Sequence, residues 1–588
     1  MKHTRWFLIF LALIGVLAGC AKNDEPTASV TGQQVVEEAP DNAIEISIIY
    51  APESDLYLPE AIEAFNESYR NGINPLTGQP LADGEQPIFV SGRSGSSGTV
   101  AQGIINAFIA PNNQNVEQPV IFAPSVSHWL ALVNYESGRQ VFDLTDARAT
   151  ALAPVVMAIW ESRLQAIRDT VGYDDIGWEE LLDVLNSPNG WQDYGISGRR
   201  TVYYGHTDPF ISSTALSTLI AEFYASARSN GFTGRRLTLD QVNSPDVQNG
   251  VRSIEQLIRH YSQRTTEFKE YIAQGPDYLD FVALEENDLI YINQGLTEYR
   301  PPERLVALYP KEGTFWHEHP FGIVNGSWVT AEQQAAAQIF TDYILTEAVQ
   351  QQVMESGFRP ANPDVTLGYP FVTENGVTVE GPTNVLDVPD PEVIVSVQQS
   401  WSFVKKQADI WLVIDVSGSM ESDGKLEQAK QAALAFLDNM ESSNRVGLAV
   451  FSTNVEILVP INTFESNEAS LRQAIQSLEP QEITELYGAV VEIVNLITES
   501  DDEDRIRAVV LLSDGADTGE RGISLNDATS AISASRDSLN PVIVIPVAYG
   551  ADADIRALNS IARASNTRVQ SGDPANIQTV LQIISSYF

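Results

Sequence analysis

Two hydrophobic rhythms alternate along this chain. Residues 44–50 and the apolar runs at 119–123, 154–159, 289–292 and 305–309 read as strands. Between them the spacing turns helical. Residues 58–69 put Ile62, Phe65 and Tyr69 on one face, and a Gly/Ser stretch over 91–99 leads into a helix that buries Val100, Ile104, Ile105 and Phe108. The last third repeats the scheme, with apolar runs at 410–414, 446–451, 508–512 and 542–545. A helix there buries Leu426, Ala429, Ala433, Phe436 and Met440. Strands that alternate with helices predict parallel α/β sheets. Between the two regions, after Gly381-Pro382, residues 387–407 read as a helix. Pro389 and Pro391 stand near its start, and Val393, Val397, Trp401 and Val404 share a face. A chain of 588 residues is too long for one core. The pattern divides it into a folded region at 44–382, a connecting loop and helix at 383–407, and a second folded region at 408–588.

The N-terminus has a different composition. Lys2 and Arg5 precede an apolar run, 6–16, that is too short for a secure membrane span. It ends in Leu17-Ala18-Gly19-Cys20, which resembles a bacterial lipobox. That resemblance implies cleavage before Cys20, lipidation of its thiol and an extracytoplasmic protein anchored to the membrane by lipid. Residues 1–20 are then a lipoprotein signal peptide. Residues 21–43, rich in Thr, Gln, Glu and Pro, form a flexible tether. Cys20 is the single cysteine, so no disulfide framework exists. Losing Lys2 and Arg5 with the signal would leave 33 of the 35 basic residues against 78 acidic ones, moving the net charge from −43 to −45. Such acidity argues against nucleic acid as a partner, because phosphate binding needs a basic face.

The densest chemistry follows the apolar run 410–414. Asp415, Ser417 and Ser419 form a D-x-S-x-S loop, Thr484 adds a hydroxyl downstream, and Asp514 follows the run 508–512. One carboxylate and two hydroxyls on a tight loop suit a small hard cation that prefers oxygen. Taken alone, the loop also reads as a Ser/Asx turn capping the next helix. Together these residues resemble the metal-ion-dependent adhesion site of a von Willebrand factor A domain, a doubly wound, Rossmann-like fold. The resemblance implies Mg²⁺ (or Mn²⁺ or Ca²⁺) held directly by Ser417, Ser419 and Thr484 and through water by Asp415 and Asp514. It also implies a protein partner whose carboxylate completes the octahedron. Where that family usually has small glycines, this chain has Glu482, Ile483 and Glu485 around Thr484. These glutamates either compensate the metal, repel an acidic partner, or are solvated loop charges.

The first region carries a second resemblance. It rests on the Gly/Ser loop 91–99, on Gly205-His206-Thr207-Asp208-Pro209 with Ser212-Ser213-Thr214 opening a helix, on 308–316, and on a late helix ending near Gly357-Phe358-Arg359-Pro360. These resemble two-lobed extracytoplasmic solute-binding proteins of the molybdate-binding-like kind. The resemblance implies one lobe from 44–153 and 300–380, another from the part between, and a small polar or anionic solute in the cleft. Ser94, Ser96, Ser97 and Thr99 are candidate ligands on one lobe, and His206, Thr207, Ser212 and Ser213 on the other. Hydroxyls and amides at a helix N-terminus suit an anion, and equally they suit an N-cap. His206 reads equally as a packed histidine. Tyr291 and Asn293 are weaker cleft candidates. His317-Glu318-His319 suggests zinc but lacks a third ligand, so it is read as structured loop and strand.

No G-x-S-x-G, H-E-x-x-H, Walker loop or C-x-x-C occurs, and the expectation is a protein without catalytic activity. The chain reads as a membrane-anchored extracytoplasmic binding protein. Its two-lobed part captures or senses a small ligand, and its second part binds protein through Mg²⁺. The alternative is the substrate-binding component of an ABC-type transport system, with the second region as spacer or docking module.

Overall fold

A computed structural model describes residues 39–588 except 41, 113–114, 198–201, 263–264, 482, 500–501, 503, 520, 536–540, 551, 566, 574–575 and 586. The signal and most of the tether, Cys20 included, lie outside the described residues. Among the described residues no helix is long and apolar enough to cross a membrane.

Three mixed or parallel sheets organise the chain. The first orders its strands Ile88–Ser94, Ile44–Tyr50, Ile121–Ala123, Pro320–Ile323 and Arg148–Ala149. Helices Leu58–Arg70 and Ala331–Ile344 cover it, with Phe65 packed edge-on to Phe340 at 5.0 Å. The second sheet is built on the long strand Ala151–Trp160. It pairs with Phe281–Glu285, Leu305–Leu308, Trp316–His317 and Arg359–Pro360, and Tyr204–Thr207 and Ile258–Ser262 extend it. These are the two lobes. The chain passes from first to second between Ala149 and Ala151, and back between His317 and Pro320. The boundary expected near residue 300 is therefore corrected: 305–317 belongs to the second lobe, because Leu305–Leu308 and Trp316–His317 pair with Ala151–Trp160. The strand expected at 289–292 is also corrected. Those residues lie in the helix Glu286–Asn293, whose Leu289, Ile290 and Ile292 are all buried; a short apolar run does not by its period distinguish a buried helix from a strand.

The connecting helix is Pro391–Val404, with Val393, Val397, Trp401 and Val404 buried. It packs against helix His128–Ser137 of the first lobe and against Ser213–Ser229 and Pro245–Glu255 of the second, so it straddles both.

The third sheet orders Val455–Thr463, Arg445–Phe451, Ala408–Asp415, Ile506–Ser513, Val542–Tyr549 and Gln570–Gly572. It is parallel except for the edge strand Val455–Thr463. Its central strands are buried at every position, as helices on both faces require. This domain is docked on the second lobe. The Lys405 ammonium donates to Phe588 O at 2.6 Å, Tyr261 N–H to Tyr587 O at 3.2 Å, and the Tyr271 and Tyr587 hydroxyls meet at 3.1 Å. One apolar cluster runs from helix Ser97–Ile109 through the second lobe and Trp401 to Phe436 and Ile577.

Candidate functional sites

In the third sheet the strand order reverses beside Ala408–Asp415: the next strand in sequence lies on one side and Ile506–Ser513 on the other. In an open α/β sheet the loops leaving the strand ends at such a reversal flank the usual binding place. Asp415 ends one strand, and Asp514 follows the other. Ser417 N–H donates to Asp415 Oδ1 at 2.8 Å, and the Ser513 hydroxyl donates to Asp415 Oδ2 at 3.0 Å, so both carboxylate oxygens are oriented. The Ser417 and Ser419 hydroxyls stand 3.1 Å apart, and Ser419 donates to Asp514 Oδ1 at 2.6 Å. Neighbouring oxygens around a small octahedral cation with bonds of about 2.1 Å stand about 3 Å apart, so the two serine hydroxyls fit one edge of such a shell.

Burial and the nearby Asp514 push the Asp415 carboxyl up to about 6, against the bonds from Ser417 and Ser513 that lower it. Asp514 is fully buried, and Lys425 donates to its Oδ2 at 2.8 Å. Lys425 was not picked out from the sequence. Its place at the first residue of helix Lys425–Asp438, facing the strand end, is the signal that points to it. Thr484 lies in the adjacent loop: Gln481 N–H donates to Val416 O at 2.6 Å, and Thr484 N–H to the Thr518 hydroxyl at 3.1 Å. Glu485 turns away from the 415–419 loop, toward Gly519. Its carboxylate accepts from Arg521 N–H at 3.3 Å and fills the space beside Gly519, where a Cβ would fall 1.5 Å from Oε2. Glu482 lies outside the described residues.

Residues 409–582 match the model of the von Willebrand factor type A domain family. This segment is a von Willebrand factor type A domain. The chain is also similar to inter-alpha-trypsin inhibitor heavy chain H3 of Homo sapiens, 30% identical over 171 residues that cover 27% of this chain and 19% of that one. The chain thus spans about a fifth of the length of that curated relative. Among solved structures, a von Willebrand factor type A protein from Catenulispora acidiphila is 19% identical with a TM-score of 0.27, covering 31% of this chain and 42% of that one. The sulfate-binding protein SubI from Mycobacterium tuberculosis H37Rv is 16% identical with a TM-score of 0.37, covering 61% and 96%. At these scores the two lobes of this chain stand on its own sheets.

Between the lobes the structure brings four of the expected ligands together. Ser96, Ser97, Ser212 and Ser213 line a cavity of about 20 Å³, with Pro52, Glu53, Ser125, Ile211 and Thr265. That volume holds about one water. The lobes touch directly around it. Gly98 N–H donates to Ile211 O at 3.0 Å, and Trp129 Nε1–H to the Ser213 hydroxyl at 3.0 Å. A Cβ on Gly98 would fall 1.9 Å from Phe210 O, so only glycine permits this approach. Ser212 caps helix Ser213–Ser229, accepting from Ala215 N–H at 3.2 Å, and it bonds the Thr265 hydroxyl at 2.8 Å. Ser97 accepts from Ser125 N–H at 3.4 Å. Glu53, missed from sequence, follows the first strand's end. Burial, with Glu285 and Asp288, pushes its carboxyl up to about 8, and its Oε2 accepts from the Ser125 hydroxyl at 3.2 Å.

The remaining candidates lie elsewhere. Ser94 is exposed at the end of its strand, and Thr99 lines a separate groove beside the connecting helix, between Trp129 and Gln398. Thr207 is buried in its strand, and His206 turns toward Glu222 and Glu255, away from the cavity. Tyr291 and Asn293 lie in helix Glu286–Asn293, where Asn293 bonds Leu305 and Asn375. His317 and His319 both reach Glu285, at 2.7 and 3.1 Å, rather than Glu318, and form a buried polar knot between the lobes.

Proposed function

We propose that this chain is an extracytoplasmic binding protein whose A domain docks a carboxylate of a protein partner through a divalent cation. The observation that carries the reading is the meeting of Asp415, Ser417, Ser419 and Asp514 at the sheet's switch point, with the two serine hydroxyls at a spacing that fits one edge of an octahedral oxygen shell. Mg²⁺ (or Mn²⁺ or Ca²⁺) would be held by Ser417, Ser419 and Thr484, with Asp415 and Asp514 behind them. The cation supplies positive charge to an incoming carboxylate. Asp415 and Asp514 set how much of that charge is left uncompensated, and the buried Lys425 balances Asp514 from the inner side. The retraction of Glu485 toward Gly519 keeps its charge off the metal loop, which supports an acidic partner.

The two-lobed domain is a binding module for a small polar or anionic solute at Ser96, Ser97, Ser212 and Ser213, reached when the lobes part by hinge motion. Docking of the A domain on the second lobe, and a connecting helix that spans both lobes, support sensing over delivery to a permease. A transport component would need to open and close freely. Anchoring through lipidated Cys20 and the lack of catalysis belong to the same proposal.

Calorimetric titration of Mg²⁺ into the whole chain and its Asp415→Ala form tests the A-domain reading. Binding in the first and its loss in the second, with the fold kept, is the expected result. Equal binding in both, or none at millimolar ion, would sink the adhesion-site assignment.

A further inference from the structure

His206, Glu222 and Glu255 come from three elements of the second lobe: strand Tyr204–Thr207, helix Ser213–Ser229 and the last residue of helix Pro245–Glu255. Each offers one ligand atom, and these atoms lie within 4.8 Å of one another. His206 is 3% exposed, and Glu222 and Glu255 are fully buried.

Every other polar atom of the three is held by an outer partner. His206 Nδ1 meets Thr207 O at 2.6 Å, so it carries the proton and leaves Nε2 with a lone pair. The Tyr204 hydroxyl donates to Glu222 Oε1 at 3.2 Å, and the Tyr261 hydroxyl to Glu255 Oε2 at 2.7 Å. His206 Nε2, Glu222 Oε2 and Glu255 Oε1 remain, all buried without a hydrogen-bond partner and all facing one another. Among the described residues no lysine or arginine pairs with either carboxylate. Three acceptors converging in a dry interior repel one another unless something positive sits among them.

We propose that His206, Glu222 and Glu255 bind a divalent transition-metal ion, Zn²⁺ or Mn²⁺, at a structural site separate from the A domain. One imidazole and two carboxylates form a borderline-hard set that suits these ions, and bonds of about 2.0–2.2 Å would draw the three atoms together. The outer bonds to Thr207, Tyr204 and Tyr261 fix the orientation of the three ligands, as hydrogen bonds to the ligating groups do in built metal sites. The site also lies under the joint. The His206 ring is 5.2 Å from the Trp401 ring of the connecting helix, and Tyr261 accepts from Lys406 N–H at 2.8 Å. The ion would therefore fix the second lobe to the helix that carries the A domain. With all three ligands buried, the ion enters on folding and exchanges slowly.

The test uses the full chain with Asp415→Ala, which clears the A-domain site. The protein is unfolded, refolded with one equivalent of Zn²⁺, Mn²⁺ or Co²⁺, desalted, and its metal measured by mass spectrometry. One retained ion per chain is expected, with a melting temperature several degrees above that of protein refolded in chelator. Adding Glu222→Gln or His206→Ala should abolish both. Should those variants fail to fold, X-ray absorption of the Co²⁺ form still decides, since one imidazole and carboxylate oxygens must appear around the metal. No retained ion, or retention with oxygen ligands only, overturns the proposal and leaves the two carboxyls sharing a proton.

Discussion

The rim of the A-domain sheet and the cleft between the lobes carry nearly the same chemistry, and they use it in opposite ways. Both place serines and carboxylates at strand ends and helix N-termini. At the rim, Ser417, Ser419 and Asp514 bond to one another, so the proposed cation would replace bonds made within the loops that hold it. In the cleft, Ser97, Ser212 and Ser213 bond to Ser125, Thr265 and Trp129, so the same hydroxyls close the lobes and cap a helix. A hydroxyl's value to a ligand depends on which bonds must be given up for it.

The largest effect that sharpens this contrast is at Asp514. Replacing it with Ala removes a carboxylate of the proposed metal site and takes from the buried Lys425 its partner at 2.8 Å. Breaking one side of a buried pair costs roughly 3–5 kcal/mol, so denaturant unfolding should show a loss of that order together with loss of Mg²⁺ binding. A change well under that range would mean Lys425 finds compensation in the exposed Asp552, 3.7 Å away.

Gly98→Val attacks the other region. Its side chain would enter the Phe210 carbonyl, so the lobes cannot meet as they do here, at a cost of about 1–3 kcal/mol. Small-angle scattering should show a wider two-lobed domain, and the A domain's metal affinity should stay unchanged. An unaltered scattering profile would mean that the lobes stand apart in solution already.

A smaller effect comes from pH. Asp415 must be ionised beside a cation, and its folded carboxyl titrates at about 6. Mg²⁺ affinity should be level above about pH 7 and fall toward tenfold per unit below 6. Without metal the sign reverses. The folded value lies above the ordinary 3.8, so ionisation is disfavoured in the fold, and the metal-free domain should gain stability as pH falls from about 7 to about 4. Calorimetry and thermal melts across that range check both arms. A pH-independent affinity would mean that Asp415 does not face the ion.

Much of this architecture was legible from residue order. The apolar runs at 410–414, 446–451 and 508–512 lie inside observed strands, because a strand covered on both faces has nowhere to place a polar residue. Val393, Val397, Trp401 and Val404 gave the connecting helix by their spacing. The run at 289–292 misled, since four apolar residues fit a buried helix as well as a strand. His206 stood in a motif that pointed to the cleft. Its strand turns the ring inward, and no local signal reports which face of a strand meets which helix.

The sequence by itself determined which segments are strands and helices and which loops carry carboxylates and hydroxyls. Those depend on periodicities of a few residues and on local turn chemistry. Tertiary structure alone decided partnership. Lys425 was brought to Asp514, Glu485 to Gly519, and His206 to Glu222 and Glu255, because packing of helices on sheets joins residues tens of positions apart. Burial then fixed what each group does, since a carboxylate removed from water must find a proton, a cation or a donor, and only the folded chain settles which of these lies within reach.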